Sequence, residues 1–271
     1  MDNIRKYSII IVTFNNAEGL KRTLESVKTL RYDHKETIVI DGGSKDNSLQ
    51  VISSYKDIID TAVSEKDSGI YNAMNKGVKL VTGDYVVFMN AGDVFADEGV
   101  LSLVSNYAAD IILGSDTYDG RRRLMIEHMS LYDILSIGIC HQAVYYRREI
   151  LQKYGFDESY KIIADLKSVV EPLVKEKLTV MSTPEILAVC EGGGLSKQLW
   201  RNIFVEKKRM VAEVVDPFYS TDYQRFLCVD NSMLSDFMVL SRFRSLFPVL
   251  RALAKLACYV NVRFKHIPID D

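Results

Sequence analysis

Between residues 7 and 89 the chain alternates four short apolar runs with three amphipathic stretches. The runs are "YSIIIVT" (7–13), "ETIVI" (36–40), "DTAVSE" (60–65) and "DYVVFM" (84–89). Each is too short for a helix, and most are rich in β-branched residues, the mark of strands buried in a parallel sheet. Between them, "EGLKRTLESVKTL" places Leu20, Leu24, Val27 and Leu30 on one helical face. "SKDNSLQVISSY" fits a helix capped near Ser44 or Asp46, and "GIYNAMNKGVKLV" turns Ile70, Met74, Val78 and Val81 inward. A βαβαβαβ order requires right-handed crossovers and gives a mostly parallel, Rossmann-like central sheet flanked by helices. Ligands of such sheets bind beyond the carboxyl ends of the strands. Asp41, residues 65–67 and residues 90–93 all fall there, three acidic clusters on one rim.

The 271 residues allow one large domain with a real core, or one domain with a smaller helical appendage. A net charge of −2 supplies no basic track for a nucleic-acid backbone. Cys140, Cys190, Cys228 and Cys258 are far apart in sequence and form no CxxC pair, which argues against a disulfide framework or zinc site and for a reducing compartment. The opening "MDNIRKYSIIIV" has no long apolar stretch, so neither a signal peptide nor a spanning helix is expected, and a cytoplasmic location is.

Beyond Asp97 the pattern changes. Strands are expected at 110–116, at 122–129 (antiparallel) and at 141–148, with a helix opening at about Asp165, which by itself reads as the helix N-cap. "LTVMSTPEILAVCEGGGLS" alternates weakly and ends in three glycines. From Ser196 onward the chain reads as helical, which suggests a division into residues 1–195 and a C-terminal helical region, 196–271. Residues 236–266 combine Phe237, Leu240, Phe243, Phe247, Leu250, Leu253 and Leu256 with Arg242, Arg244, Arg251, Lys255, Arg263 and Lys265, and Pro248 should kink or split the helix. Such a basic amphipathic stretch suits either a membrane interface or packing on its own domain or a second subunit.

Three motifs carry chemistry. In "VIDGGSKDNS", Asp41 follows a strand and could accept a hydrogen bond from a nucleobase or ribose, or serve as a plain turn and cap. It belongs to no GxGxxG fingerprint and no Walker A loop. In "SEKDSGIYNAMNKG", Glu65 and Lys66 read as members of a surface salt-bridge cluster, whereas Asp67 sits where the loop meets the helix. In "VVFMNAGD", Asp93 is a hard carboxylate of the kind that holds Mg²⁺ or Mn²⁺ together with phosphate oxygens and waters. Ala91 and Gly92 leave room beside it for a diphosphate.

With "SIIIVTFNN", "HQAVYYRR", "FDESYKIIADLKSV" and "EGGGLS", these motifs resemble in order and spacing the family 2 inverting glycosyltransferases of the GT-A fold, from Tyr7 to about Ser196. "DSGIYNAMNKG" with "NAGD" is most similar to bacterial enzymes that extend capsule, colanic-acid or O-antigen repeat units. The resemblance implies nucleotide contacts at Thr13 and Asn15, recognition of a uracil ring by Asp41, and a nucleotide-sugar pocket at Asp67. It implies that Asn90, Ala91, Gly92 and Asp93 occupy the place of the metal-binding DxD motif, with Asp93 as the metal ligand for Mn²⁺ or Mg²⁺. It implies Asp165 as catalytic base, and His141 and Gln142 where acceptor and donor sugar meet. The DxD positions here carry Asn90 and Gly92, Met74 stands where many relatives have Arg, and Leu166 and Lys167 replace a common Tyr-Asp. The implied reaction moves a sugar from a nucleotide sugar, UDP-linked first, to a saccharide or polyprenyl-linked acceptor. That places it in surface polysaccharide synthesis, in the cytoplasm or at the inner face of the membrane. A sugar nucleotidyltransferase and a non-catalytic carbohydrate-binding protein are the alternatives. The first would want a Gly- and Arg-rich loop that "VTFNNAEGL" lacks.

Overall fold

The computed structural model describes residues 4–192, 200–217 and 220. All of them belong to one compact unit, residues 1–223. The first half follows the expected alternation: β1 (Tyr7–Thr13), α1 (Ala17–Thr29), β2 (Lys35–Asp41), α2 (Ser48–Ser54), β3 (Thr61–Ser64), α3 (Ile70–Val78) and β4 (Tyr85–Asn90). β1 is buried along its whole length and pairs in parallel with both β2 and β4. β3 is an edge strand with one face half-buried and the other exposed. α1 buries Leu20, Leu24 and Val27, and α3 buries Met74 and Val78. α3 lies so close to β1 that a Cβ on Gly77 would stand 2.6 Å from Ile10 Cγ2, so only glycine fits there.

The second half extends the sheet with β5 (Val94–Phe95), α4 (Val100–Val104), β6 (Ile111–Tyr118), β7 (Arg121–Arg123), α5 (Leu131–Ile137), β8 (Val144–Arg147), α6 (Arg148–Tyr154), α7 (Ala164–Lys175) and β9 (Val180–Cys190). The sheet order is β3-β2-β1-β4-β8-β6-β9-β5, with β7 on β6. β8 runs antiparallel to both β4 and β6, whereas β6 and β9 are parallel. The sheet is therefore parallel-dominated with one reversed internal strand.

Two strand expectations need correction. Of residues 122–129 only the start joins a ladder, as β7. The backbone N–H groups of Met125 and Met129 donate instead to the hydroxyls of Ser115 and Ser182, so side chains of β6 and β9 replace strand pairing. Of residues 141–148, His141–Ala143 forms a 3₁₀ turn before β8 begins.

The final described helix, α8 (Trp200–Val214), packs on the domain. Glu213 on α8 reaches Lys167 of α7 at 3.3 Å, and Lys207 donates to the Leu135 carbonyl at the end of α5 at 2.7 Å. A division after residue 195 would separate α8 from the helices it contacts. No helix among the described residues is long and apolar enough to cross a membrane. The basic amphipathic stretch 236–266 lies outside the described residues.

Candidate active site

The parallel register brings the ends of the first four strands to one level. Thr13 is paired with Asp41, Asp41 with Ser64, and Val12 with Asn90. The loops that leave these ends form the floor of the site.

Asp41 is wholly buried. Its Oδ2 accepts from Ser64 Oγ (2.5 Å), Gly43 N–H (3.2 Å) and Ser44 N–H (3.1 Å), while Oδ1 has only a 3.3 Å contact from Ser44 N–H. Asp41 thus shapes the loop that follows β2. Asn15, with φ of 49°, binds that loop to the one after β1. Its N–H donates to Ser44 Oγ (2.7 Å), and its Oδ1 accepts from Lys45 N–H (2.8 Å). Asp67 joins them: a Cβ on Gly42 would lie 2.4 Å from Asp67 Oδ2 and 3.2 Å from the Phe14 ring. Glu65 pairs with Lys76 of α3 at 2.8 Å.

The "NAGD" loop is held from behind by α1. Thr23 Oγ1 donates to the Asp93 carbonyl (2.7 Å) and accepts from Gly92 N–H (3.0 Å). Asn16, the N-cap of α1, donates to the Ala91 carbonyl (2.8 Å). Gly92 has φ of +113°, and a Cβ there would stand 2.6 Å from Glu191 Oε2. Asp93 is buried, its Oδ2 accepts from the Gln142 side-chain amide, and its Oδ1 accepts from Glu191 N–H (3.0 Å). Burial raises its pKa above the ordinary carboxylate value, against the lowering effect of those bonds.

Asp165 lies in the first turn of α7, two residues past the N-cap Ile163. It is therefore not itself the cap. Its Oδ1 accepts from Leu166 N–H (2.8 Å) and lies 3.3 Å from the Tyr71 hydroxyl, and its Oδ2 lies 3.3 Å from His141 Nδ1. Tyr71 also donates to the Ile162 carbonyl (2.5 Å). Its pKa is raised far above normal by burial and by Asp165, so it remains a hydroxyl.

Two departures from the resembled family have structural explanations. Met74 is fully buried in the core. Lys167 forms ion pairs with Asp157 (2.7 Å) and Glu213 (3.3 Å).

Buried polar side-chain atoms without a partner are uncommon in native proteins and call for a ligand or another cause. Among the described residues, three of the six such atoms belong to this site: Thr13 Oγ1, Asn90 Oδ1 and His141 Nε2. As for a divalent ion, Asp93 is the single carboxylate of its loop, and the orphaned Asn90 Oδ1 adds a second hard oxygen. One carboxylate with diphosphate oxygens and waters satisfies Mg²⁺ or Mn²⁺, so these donors fit in kind. Asp116, Cys140 and Cys190 also lie close enough together to hold an ion, but two thiols make a softer donor set, and Asp116 is already paired with Arg123 at 2.7 Å.

Several contributors are hard to see in sequence. Thr23 is a polar residue on the apolar face of α1, which is its only signal. Phe14 is a large aromatic left 62% exposed at the rim. Glu158 receives the side-chain amides of Asn72 (3.1 Å) and Asn75 (3.0 Å), and Glu191 reaches Asp93 only through the fold.

A parallel-dominated sheet with this rim defines an α/β domain of the GT-A type. Residues 8–155 match the family described as Glycosyl transferase family 2, and the chain belongs to that family. A Mycobacterium bovis protein named PGL/p-HBAD biosynthesis glycosyltransferase is 28% identical over 173 residues, covering 59% of this chain and 66% of that protein. The match thus spans just under two thirds of that relative's length. The fold is shared with S. aureus TarS 1–349 in complex with UDP-GlcNAc, at a TM-score of 0.67 and 14% identity, over 82% of this chain and 71% of that one. It is also shared with the mannosyltransferase PcManGT from Pyrobaculum calidifontis, in complex with GDP-Man and Mn²⁺, at a TM-score of 0.63 and 17% identity, over 96% of this chain and 81% of that one.

Proposed function

We propose that this chain is an inverting glycosyltransferase that moves a sugar from a nucleotide sugar to a hydroxyl of a saccharide or polyprenyl-linked saccharide in surface glycan synthesis. The reading rests above all on the partnerless buried atoms of Thr13, Asn90 and His141, which gather on residues assigned to donor and acceptor. Family membership and the mycobacterial relative's name support it.

In this reading Thr13, Asn15, Asp67 and the "NAGD" loop bind the nucleotide sugar. Asp41 shapes the loop beneath the base, and its lightly engaged Oδ1 is the atom assigned to a uracil imide N–H. That favours a UDP sugar, although the fold is shared with proteins crystallised with UDP-GlcNAc and with GDP-Man. Phe14 offers its exposed ring to the base. Asp93, with Asn90, would hold Mn²⁺ or Mg²⁺, which would neutralise charge on the departing diphosphate.

The acceptor hydroxyl attacks the anomeric carbon from the face opposite the diphosphate, and Asp165 accepts its proton through Oδ2. His141 orients that oxygen through Nδ1 and offers Nε2 to a sugar hydroxyl, while Gln142 fixes Asp93. A polyprenyl-linked acceptor would place the reaction at the inner face of the cell membrane, and the basic stretch 236–266 is the segment proposed to lie there or to join two subunits.

The test is a thermal-shift screen of UDP, GDP and dTDP with and without Mn²⁺, followed by donor turnover with Asp165→Asn. Stabilisation by UDP with Mn²⁺, and loss of transfer in the variant, are expected. No stabilisation by any nucleotide would overturn the transferase reading. Binding without turnover would favour the carbohydrate-binding alternative, and release of pyrophosphate from a nucleoside triphosphate with a sugar phosphate would favour the nucleotidyltransferase.

A further inference from the structure

At the N-terminus of the helix that carries Asp165, the N-cap residue Ile163 makes no side-chain capping bond, and Asp165 itself takes only the Leu166 N–H. The first N–H groups of a helix find no partner within it, and the preceding loop must be fixed by something else. Here the fixing group comes from α8, beyond the part of the chain that matches the family. Glu206 Oε1 accepts from Lys161 N–H (2.9 Å), and Oε2 accepts from Ile162 N–H (3.0 Å) and Ile163 N–H (3.2 Å). A single carboxylate therefore holds three consecutive backbone amides that lead straight into Asp165. The negative charge at a helix N-terminus is also favoured by the macrodipole.

The same segment is gripped from the other side. Tyr71 of α3 donates to the Ile162 carbonyl and touches Asp165. The peptide between Ile162 and Ile163 thus has its carbonyl fixed by α3 and its N–H by α8. Lys207, the neighbour of Glu206, donates to the Leu135 carbonyl and anchors α8 on a second wall.

We infer that Glu206 is a positioning residue for the transfer reaction: it sets the placement of the Asp165 carboxylate, and α8 is an obligatory part of the catalytic unit. The inference rests on the reading of Asp165 as the base. A small displacement of a reacting group costs on the order of 10²-fold in rate, whereas the nucleotide is assigned to other residues, Thr13, Asn15, Asp67 and the "NAGD" loop.

The test compares full-length wild type, Glu206→Gln and Arg209→Gln in donor turnover. Arg209 anchors α8 to the same loop through Ser159 Oγ (2.7 Å) but touches none of the three amides. Glu206→Gln is expected to lower kcat about 10- to 100-fold with donor KM and the UDP-induced thermal shift unchanged. Arg209→Gln should stay within about twofold of wild type, because its bond to Ser159 and its ion pair with Glu213 (2.7 Å) are both solvent-exposed and such contacts contribute little. Wild-type kcat in Glu206→Gln would overturn the inference, as would an equal loss in Arg209→Gln. If wild type turns over no nucleotide sugar, the transfer reading fails on its own account. Amide hydrogen exchange at 161–163 then decides the clamp: faster exchange in Glu206→Gln upholds it, and unchanged exchange overturns it.

Discussion

His141 Nδ1 lies 3.3 Å from Asp165 Oδ2, and the other ring nitrogen of His141 is buried with no partner. With a proton on Nδ1, the ring donates to the carboxylate and its Nε2 is a lone-pair acceptor for a hydroxyl. The pair joins the 3₁₀ turn before β8 to the first turn of α7. Asp165→Asn should lower transfer on the order of 10²- to 10⁴-fold, the usual contribution of a positioned base. His141→Gln should raise the acceptor KM and lower kcat while donor binding is unchanged. Steady-state kinetics with acceptor varied at saturating donor checks both.

Asp93 gives a pH-dependent prediction. Burial raises its pKa in the folded state, so the folded protein holds that proton to higher pH than the unfolded chain. The stabilising contribution is complete below the ordinary aspartate value and fades as pH rises through the folded one. The melting temperature of Asp93→Asn, relative to wild type without divalent ion, should therefore improve as pH rises from about 4 to 7. Mn²⁺ with UDP should stabilise wild type and leave the variant almost unshifted.

Glu36 behaves in the opposite way. Burial alone would raise its pKa, but hydrogen bonds from Ser8, Thr82 and Lys6 outweigh that and bring it to about 2. Its stabilisation is present above the ordinary glutamate value and is lost as pH falls toward about 2. Glu36→Gln should cost roughly 2 kcal/mol at neutral pH, and the difference from wild type should shrink in acid. Urea unfolding at several pH values measures it.

Thr23 supports the "NAGD" loop through one hydroxyl that both donates and accepts. Thr23→Val keeps the shape and removes the bonds, leaving Gly92 N–H and the Asp93 carbonyl short of a partner. A loss of about 1–3 kcal/mol in stability is expected. The UDP-with-Mn²⁺ thermal shift should fall as well.

Phe14 tests the base platform. Its ring is 62% exposed beside Gly42, so Phe14→Ala loses little core packing. A stacked base contributes on the order of 1–3 kcal/mol, so UDP affinity should fall about tenfold or more, as titration calorimetry would show.

The alternation of apolar runs and amphipathic stretches determined β1 to β4 and the helices between them, because burial in a parallel sheet demands that pattern locally. It also set Thr13, Asp41 and Asn90 at strand ends, since the end of an apolar run is visible in sequence. It could not give the path of residues 122–129, where Ser115 and Ser182 take backbone bonds that a strand would have made. Nor could it join Asp93 to Gln142 and Glu191, Asp165 to His141, or Glu206 to residues 161–163. Those partners are separated by tens of residues along the chain. No local period encodes them: the β5–β9 pairing brings Glu191 to Asp93, the 3₁₀ turn before β8 brings Gln142 and His141, and α7 and α8 packed beside the sheet bring Asp165 and Glu206 within hydrogen-bond reach.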